Sequence, residues 1–294
     1  MAELAAGPER GDRATHFAAM ASPCVVLVDT TDDETGAAIG AIVENETARI
    51  EAKFSRYRPS VVTRINETAG QPVEVDAETA DLIDYAVSCY ELSGGLFDIT
   101  SGALRRAWTF DGTGSVPTAS RLSELLECVG WHRVTWDRPV LTLAPGMEID
   151  FGGIGKEYAV DRAMTLAQTH AAMPTLVNLG GDLRVSGLRR SGGPWRVAIE
   201  DVDRAGQATA LIELTGGALA TSGDTHRHVL RGGVRYGHVL DPRSGWPVAG
   251  APRSVTVHAA TCSEAGLLAK LALLRGVEAE AFLEAEGVRA WSVR

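Results

Sequence analysis

At 294 residues, 45% hydrophobic and 22% charged, the chain has the composition of a soluble globular protein, long enough for one large domain or two modest ones. Its net charge of −10 and pI near 5.2 exclude a general nucleic-acid or anionic-membrane binder, so an anionic ligand must be held by local groups against the overall field. No run of about 18 apolar residues occurs, so membrane insertion is not expected; the charges in "MAELAAGPERGDRATHFAAM" also deny it the apolar core of a signal peptide.

Residues 1–15, polar and small, read as a loose tail ahead of a domain over 16–294. "SPCVVLVDT" (22–30) is a β-branched strand, and 35–57 has helical periodicity. "DAETADLIDYAVSCYELSGG" (76–95) has an acidic cap and terminal glycines, which predicts a helix, and a shorter one is expected at 119–129. "HRVTWD", "VLTLAP" and "MEIDFGG" read as short strands, followed by a helix over "KEYAVDRAMTLAQTH". The second half is strand-rich: "TLVNLGGDLRVSG", "WRVAIED", "ATALIELTGG", "ALATSGD", "HRHVLRGG", "VRYGHVLDP" and "SVTVHAA", separated by Gly, Pro and Asp turns. "EAGLLAKLALL" (264–274) predicts a helix capped by Ser263 and ended by Gly276, followed by a last helix near 277–287 and a terminal strand. Helices and runs of strands are partly segregated, which favours α+β with antiparallel or mixed sheets, in one body or two closely packed lobes.

Cys24, Cys89, Cys128 and Cys262 are widely spaced with no CxxC pair, which points to a reduced, cytoplasmic protein. Of 28 basic residues only Lys53, Lys156 and Lys270 are lysine, and Lys270 falls on the face of its helix that carries Leu267, Leu271 and Leu274.

Glycine turns recur at strand ends in "DFGGIGK" (150–156), "NLGGD" (178–182) and "ATSGD" (220–224). Such a turn opening a helix can cradle a phosphate, or can simply be a tight turn that needs glycine. In "RYGHVLDPRSG" (235–245), His238 is a candidate proton acceptor, with Asp241 three residues on; the alternative is that Asp241 caps the turn and His238 is structural. "HRH" (226–228) resembles a metal pair but has no third ligand nearby, so a solvated or ligand-edge role is expected.

Taken in order, "MAS" (20–22), "FSRYRPSVVTRIN" (54–66), "SGGLFDITSGAL" (93–104), "IDFGGIGKEYAVDRA" (149–163), "LVNLGGDLRVSG" (176–187), "WRVAIED" (195–201), "ALATSGD" (218–224), "GHVLDPRSG" (237–245) and "SVTVHAATCSEA" (254–265) resemble the FAD:protein FMN transferases, the ApbE family. The resemblance implies an α+β protein with an FAD cleft. It also implies cleavage of the FAD diphosphate, transfer of FMN to a threonine or serine of a target flavoprotein and departure of AMP. His238 matches the family's proposed base. Asn66, Asp98, Thr100, Lys156, Asp161, Ser222, Gly223 and Asp241 match positions that line or shape the flavin site, and Met20, Gly152, Gly153, Gly180, Gly181 and Thr221 join them from the same motifs.

The resemblance further implies Mg²⁺ on an A-D-x-x-x-T helix. Here those positions read Ala265-Gly266-Leu267-Leu268-Ala269-Lys270, so Gly266 and Lys270 replace the aspartate and threonine, and only the Gly155 carbonyl of the implied ligands survives. Glu157 replaces a residue commonly glycine, Gly237 a common serine, and Thr225 stands where an aromatic is frequent. Two readings of Lys270 follow: its ammonium takes the metal's place beside the diphosphate, with the same net +1 as aspartate plus Mg²⁺, or it snorkels to the surface after metal binding was lost. For the whole chain the alternatives are a non-catalytic flavin carrier, an enzyme of this fold with another acceptor in specialised metabolism, and a scaffold with an empty cleft. His238 and "DFGGIGK" favour an enzyme, and the altered metal positions favour binding alone.

Overall fold

The computed structural model describes residues 2–4, 11–110, 114–204, 206–225 and 227–294. The first half carries β1 (Ala2–Leu4), β2 (Asp12–Ala19), β3 (Ser22–Asp29), α1 (Asp33–Phe54), α2 (Val61–Glu67), β4 (Pro72–Glu74), α3 (Ala77–Leu92) and α4 (Ala119–Leu126). It continues with β5 (Thr135–Asp137), β6 (Val140–Thr142), α5 (Gly155–His170), β7 (Thr175–Leu179) and β8 (Asp182–Val185). The remainder holds β9 (Trp195–Glu200), β10 (Ala208–Leu214), β11 (Gly217–Gly223), β12 (His228–Arg231), β13 (Val234–Gly237), β14 (Ser254–Ala259), α6 (Cys262–Leu274), α7 (Ala279–Ala285) and β15 (Arg289–Val293).

A seven-stranded sheet, ordered β15-β14-β11-β8-β7-β3-β2, forms the centre, and its described pairings are antiparallel. Alternation along the strands separates two cores. Val26, Val28, Val177, Leu179, Val255 and Val257 face α1, α5 and α6, whereas Leu27, Leu176, Leu183 and Leu219 meet Trp195, Val197 and Ile199 of the β1-β9-β10 sheet. Strand β7 feeds both cores and is buried along its whole length. The segregation of helices to one face is the α+β arrangement that the sequence suggests.

Local chemistry sets most helix starts. Asp32, Asp76 and Thr118 accept the N–H groups of Thr35, Thr79 and Arg121, which satisfies donors with no partner inside the helix. For α6 the cap is Thr261, which accepts from Glu264 N at 3.2 Å, and not the expected Ser263. Ser263 is engaged elsewhere: Asp161 on α5 accepts from Ser263 N (2.9 Å), Ser263 Oγ (2.8 Å) and Cys262 N (3.0 Å), and pairs with Arg184 at 2.9 Å. One carboxylate thus fixes the start of α6 against α5 and β8.

Three expectations need correction. The loose tail over 1–15 does not hold where the chain is described: β1 pairs with β9, and β2 begins at Asp12 and pairs along its length with β3. Strand β2 lies on helix α1, where Gly36 and Gly40 let the Arg13 and Thr15 side chains approach the helix backbone closely. "MEIDFGG" is not a strand, because its backbone is satisfied by other groups. Ile149 is clipped by Asn66, Asp150 N donates to Ile99 O at 2.9 Å, and Gly152 N donates to Asp150 Oδ1 at 2.8 Å. The last helix is shorter than 277–287 and starts at Ala279.

Asp161→Ala removes a charged acceptor from two backbone donors, a hydroxyl and a guanidinium. It should lower unfolding free energy by about 2–3 kcal/mol, read as a lower urea midpoint at constant slope.

Candidate active site

The glycine turn at 151–154 enters α5, and among the described residues no side chain caps that helix start. Lys156, in the first turn, pairs with Asp182 Oδ2 at 2.6 Å and donates to Gly180 O at 3.3 Å. Burial alone would lower the Lys156 pKa, but the Asp182 carboxylate and then Glu157 outweigh it and hold the ammonium charged. Asp182 Oδ1 also accepts from Thr221 N at 3.1 Å, and Thr221 Oγ1 meets Thr256 Oγ1 at 2.8 Å. Lys156, the β7–β8 turn and β11 are therefore one hydrogen-bonded unit that brings Gly180, Thr221 and the buried Ser222 together. Gly180 and Gly181 adopt φ of +60° and +91°, and a Cβ on Gly180 would collide with Ser22 at the start of β3, two residues after Met20. At Gly223 a Cβ would strike the 253–254 backbone of β14.

Beside this unit Glu157 and Lys270 form a buried ion pair, with side-chain exposures of 5% and 15%. The Lys270 ammonium contacts Glu157 Oε1 and donates to Gly266 O at 3.3 Å. Lys270 therefore does not snorkel to the surface. The notion that Lys270 alone reproduces the +1 of aspartate plus Mg²⁺ also fails, because the pair nets zero.

His238 follows β13. Its ring faces Phe110, with centroids 6.3 Å apart, and Phe110 stacks on Trp108 at 5.4 Å. Trp108 also meets Tyr236 and Trp246 and is buried among Leu104, Leu122 and Leu125. His238 Nδ1 lies 3.3 Å from Arg227 O, so a neutral ring that donates there leaves Nε2 as the acceptor. Removal of the ring from water, then the charges of Arg227, Lys270 and Lys156, push its pKa down to about 4. Asp241 does not support His238. It pairs with Arg243 (2.7 Å), accepts from Arg243 N (2.9 Å), and its carbonyl takes Gly245 N (2.8 Å), so its polar groups cap the turn. His228 is held by Asp224 O at 2.9 Å and Arg235 at 3.0 Å; His226 lies outside the described residues.

Other expected site residues shape the surroundings. Asp98 is buried, accepts from Thr100 N (2.8 Å), Thr100 Oγ1 (2.6 Å) and Trp131 N (2.9 Å), and Thr100 in turn accepts from Gly130 N (2.7 Å). Asn66 spends both amide atoms on the Ile149 backbone at 3.0 and 2.8 Å. It also borders an open groove of about 530 Å³ lined by Arg56, Arg58, Arg64 and Arg105, and Arg56 pairs with Asp150 ahead of Gly152 and Gly153. That size suits a small-molecule site. Lys53 belongs elsewhere, bound to Asp76 (2.6 Å) and Glu78 (2.7 Å).

The donor set does not fit Mg²⁺. At the two implied ligand positions Gly266 has no side chain and Lys270 presents an ammonium, which repels a divalent ion. Among the described residues no three His, Cys, Asp or Glu groups converge as metal ligands. Sequence reading missed the Glu157–Lys270 contact, the Lys156–Asp182 pair and the aromatic support of His238. The signal for the first lay in the joint change at 157, 266 and 270.

The chain matches the ApbE family over residues 20–291. It is 32% identical to a Vibrio cholerae FAD:protein FMN transferase, over 78% of this chain and 71% of that protein. A Haemophilus influenzae FAD:protein FMN transferase is 29% identical over 80% and 70%. Among solved structures, the ApbE protein of Thermotoga maritima superposes with a TM-score of 0.87 at 30% identity, covering 96% of this chain and 94% of that one. The apo form of the Pseudomonas stutzeri flavinyl transferase ApbE gives 0.83 at 29% identity over 96% and 91%.

The low pKa of His238 has a definite sign in stability. Between about 4 and the ordinary 6.5 the unfolded chain binds a proton that the folded ring refuses. The stability this group confers is complete above about pH 6.5 and is lost as pH falls toward 4. Histidine-selective NMR should give the His238 ring a midpoint near 4, and a midpoint near 6.5 would contradict the geometry.

Proposed function

The chain belongs to the ApbE family, and on that premise we propose that it is an FAD:protein FMN transferase. An acceptor threonine or serine hydroxyl attacks the FMN-side phosphorus of FAD, and its proton passes to His238 Nε2. A new P–O bond joins FMN to the acceptor, the diphosphate P–O bond breaks, and AMP departs with its own phosphate. No step is routed through Mg²⁺.

The observation that carries this reading is the His238 ring, whose Nδ1 lies 3.3 Å from Arg227 O and so leaves Nε2 to accept a proton, while the charges of Arg227, Lys270 and Lys156 help keep it neutral. Those cations suit a diphosphate, and an anionic substrate beside them would offset the charges that depress the His238 pKa, so the base strengthens when FAD arrives. The uncapped start of α5 and the arginine groove beyond Asp150 supply further anion-binding groups. Met20, Asn66, Asp98, Thr100 and Asp161 act by fixing the walls, since their polar groups are committed to neighbouring backbone or their position is a turn. No helix among the described residues is long and apolar enough to cross a membrane, and the four free cysteines, three of them buried, support a cytoplasmic site of action.

A binding-only role is favoured by one observation: Lys156 and Lys270 are each neutralised by a carboxylate, so the diphosphate meets little excess positive charge. Incubation with FAD and chromatographic detection of AMP separates the two. Release of AMP with flavin retained on protein supports transfer, and intact bound FAD supports a carrier. His238→Ala should lower AMP release by about 10²-fold or more while FAD affinity stays nearly constant.

A further inference from the structure

Positions 157, 266 and 270 are interlocked. A Cβ built on Gly266 would lie 2.5 Å from Glu157 Oε1, 2.6 Å from its Cγ and 2.9 Å from its Cδ, so the Glu157 side chain rests directly on the bare backbone of α6. Even alanine at 266 would displace it. One turn further on, Lys270 reaches back along the helix to meet both the carboxylate and the Gly266 carbonyl. The carboxylate needs the space left by glycine. Once buried, it needs a cation, and the ammonium is aimed by the two oxygens it contacts.

The acidic group has in effect moved from one helix to the other. The resemblance implies a carboxylate on α6 at 266 and glycine at 157; here glycine is at 266 and the carboxylate enters the same space from α5. An ammonium has three N–H donors, and the two oxygens that hold Lys270 leave one for a ligand. The charge of Lys270 is also felt at His238, where it helps hold the imidazole neutral.

We propose that Glu157, Gly266 and Lys270 form a built-in, metal-independent replacement for the divalent cation, in which Lys270 Nζ contacts the FAD diphosphate and Glu157 is the positioning residue that aims it. This rests on the FAD-binding reading above. Because the pair nets zero, the centre holds the diphosphate by one directed, charge-assisted hydrogen bond and not by excess charge. It therefore binds FAD without any divalent ion.

The test is FAD titration of the full chain by flavin fluorescence, in EDTA and in millimolar Mg²⁺, with AMP release measured in parallel. Wild-type affinity should agree within about twofold between the two conditions. Lys270→Met should weaken it by about tenfold or more, and Lys270→Arg should retain most of it. Glu157→Gln keeps the shape but releases the ammonium, so FAD affinity should fall while the His238 NMR midpoint moves, a change that a packing role alone would not cause. Restoring the implied pattern with Glu157→Gly, Gly266→Asp and Lys270→Thr should create a site that binds Mn²⁺, seen as loss of the free-ion EPR signal, and make FAD binding metal-dependent. Thermal melts establish that each variant is folded. The proposal is overturned if EDTA abolishes wild-type FAD binding, if Mg²⁺ tightens it tenfold, or if folded Lys270→Met binds FAD as wild type does. Metal-independent binding without AMP would instead overturn the transferase reading and leave the proposal standing, whereas no FAD binding in either condition overturns both.

Discussion

The buried contact between Glu157 on α5 and Lys270 on α6 is the interaction on which the centre of this protein depends. Taking two charges out of water costs several kcal/mol per ion, and close approach repays that only when the remaining hydrogen-bonding groups are satisfied. Here one carboxylate oxygen and the Gly266 carbonyl hold the ammonium, while Glu157 Oε2 is buried with no hydrogen-bond partner among the described residues. A pair of this kind is a poor way to gain stability and a good way to enforce arrangement. Loss of either partner strands the other, so both helices must keep their relative position for either charge to be tolerated. The Asp161 carboxylate, which ties the first turn of α6 to α5 and β8, keeps that position from one end.

The same principle extends outward. Lys156 is matched by Asp182, Arg184 by Asp161 and Arg56 by Asp150, so the cations around the candidate site are held in fixed places by carboxylates. In a chain of net charge −10 this compensation has a consequence for recognition. An anionic ligand is selected by the direction of individual donors, since long-range attraction is weak or adverse. His238 is placed by different means. Its support is the aromatic group of Trp108, Phe110, Tyr236 and Trp246, which excludes water from one side of the ring and keeps it neutral.

Much of this was legible in the chain because it is local. Caps such as Asp76 and Thr118 act within three residues, and the left-handed turn at Gly180–Gly181 requires glycine whatever the rest of the fold does. Misreadings arose where distant groups decide. Thr261 and Ser263 are both good caps, and the choice falls to Thr261 because Asp161, about a hundred residues away, engages Ser263. "MEIDFGG" alternates like a strand, yet Asn66 and Asp150 take up its backbone donors. Lys270 looked out of place because its partner lies 113 residues earlier in the chain; the glycine at 266 was the local trace of that partner.

Glu157 and Lys270 act as one unit, and a double-mutant cycle measures that directly. Unfolding free energies of wild type, Glu157→Gln, Lys270→Met and the double variant, taken from urea denaturation, give the coupling without any ligand present. A buried, mutually dependent pair predicts that each single change is more damaging than the double change would suggest by addition, with a coupling of at least about 1.5 kcal/mol. Additivity within about 0.5 kcal/mol would show that the two side chains are independent neighbours, and the pair could then not be the element that orders this centre.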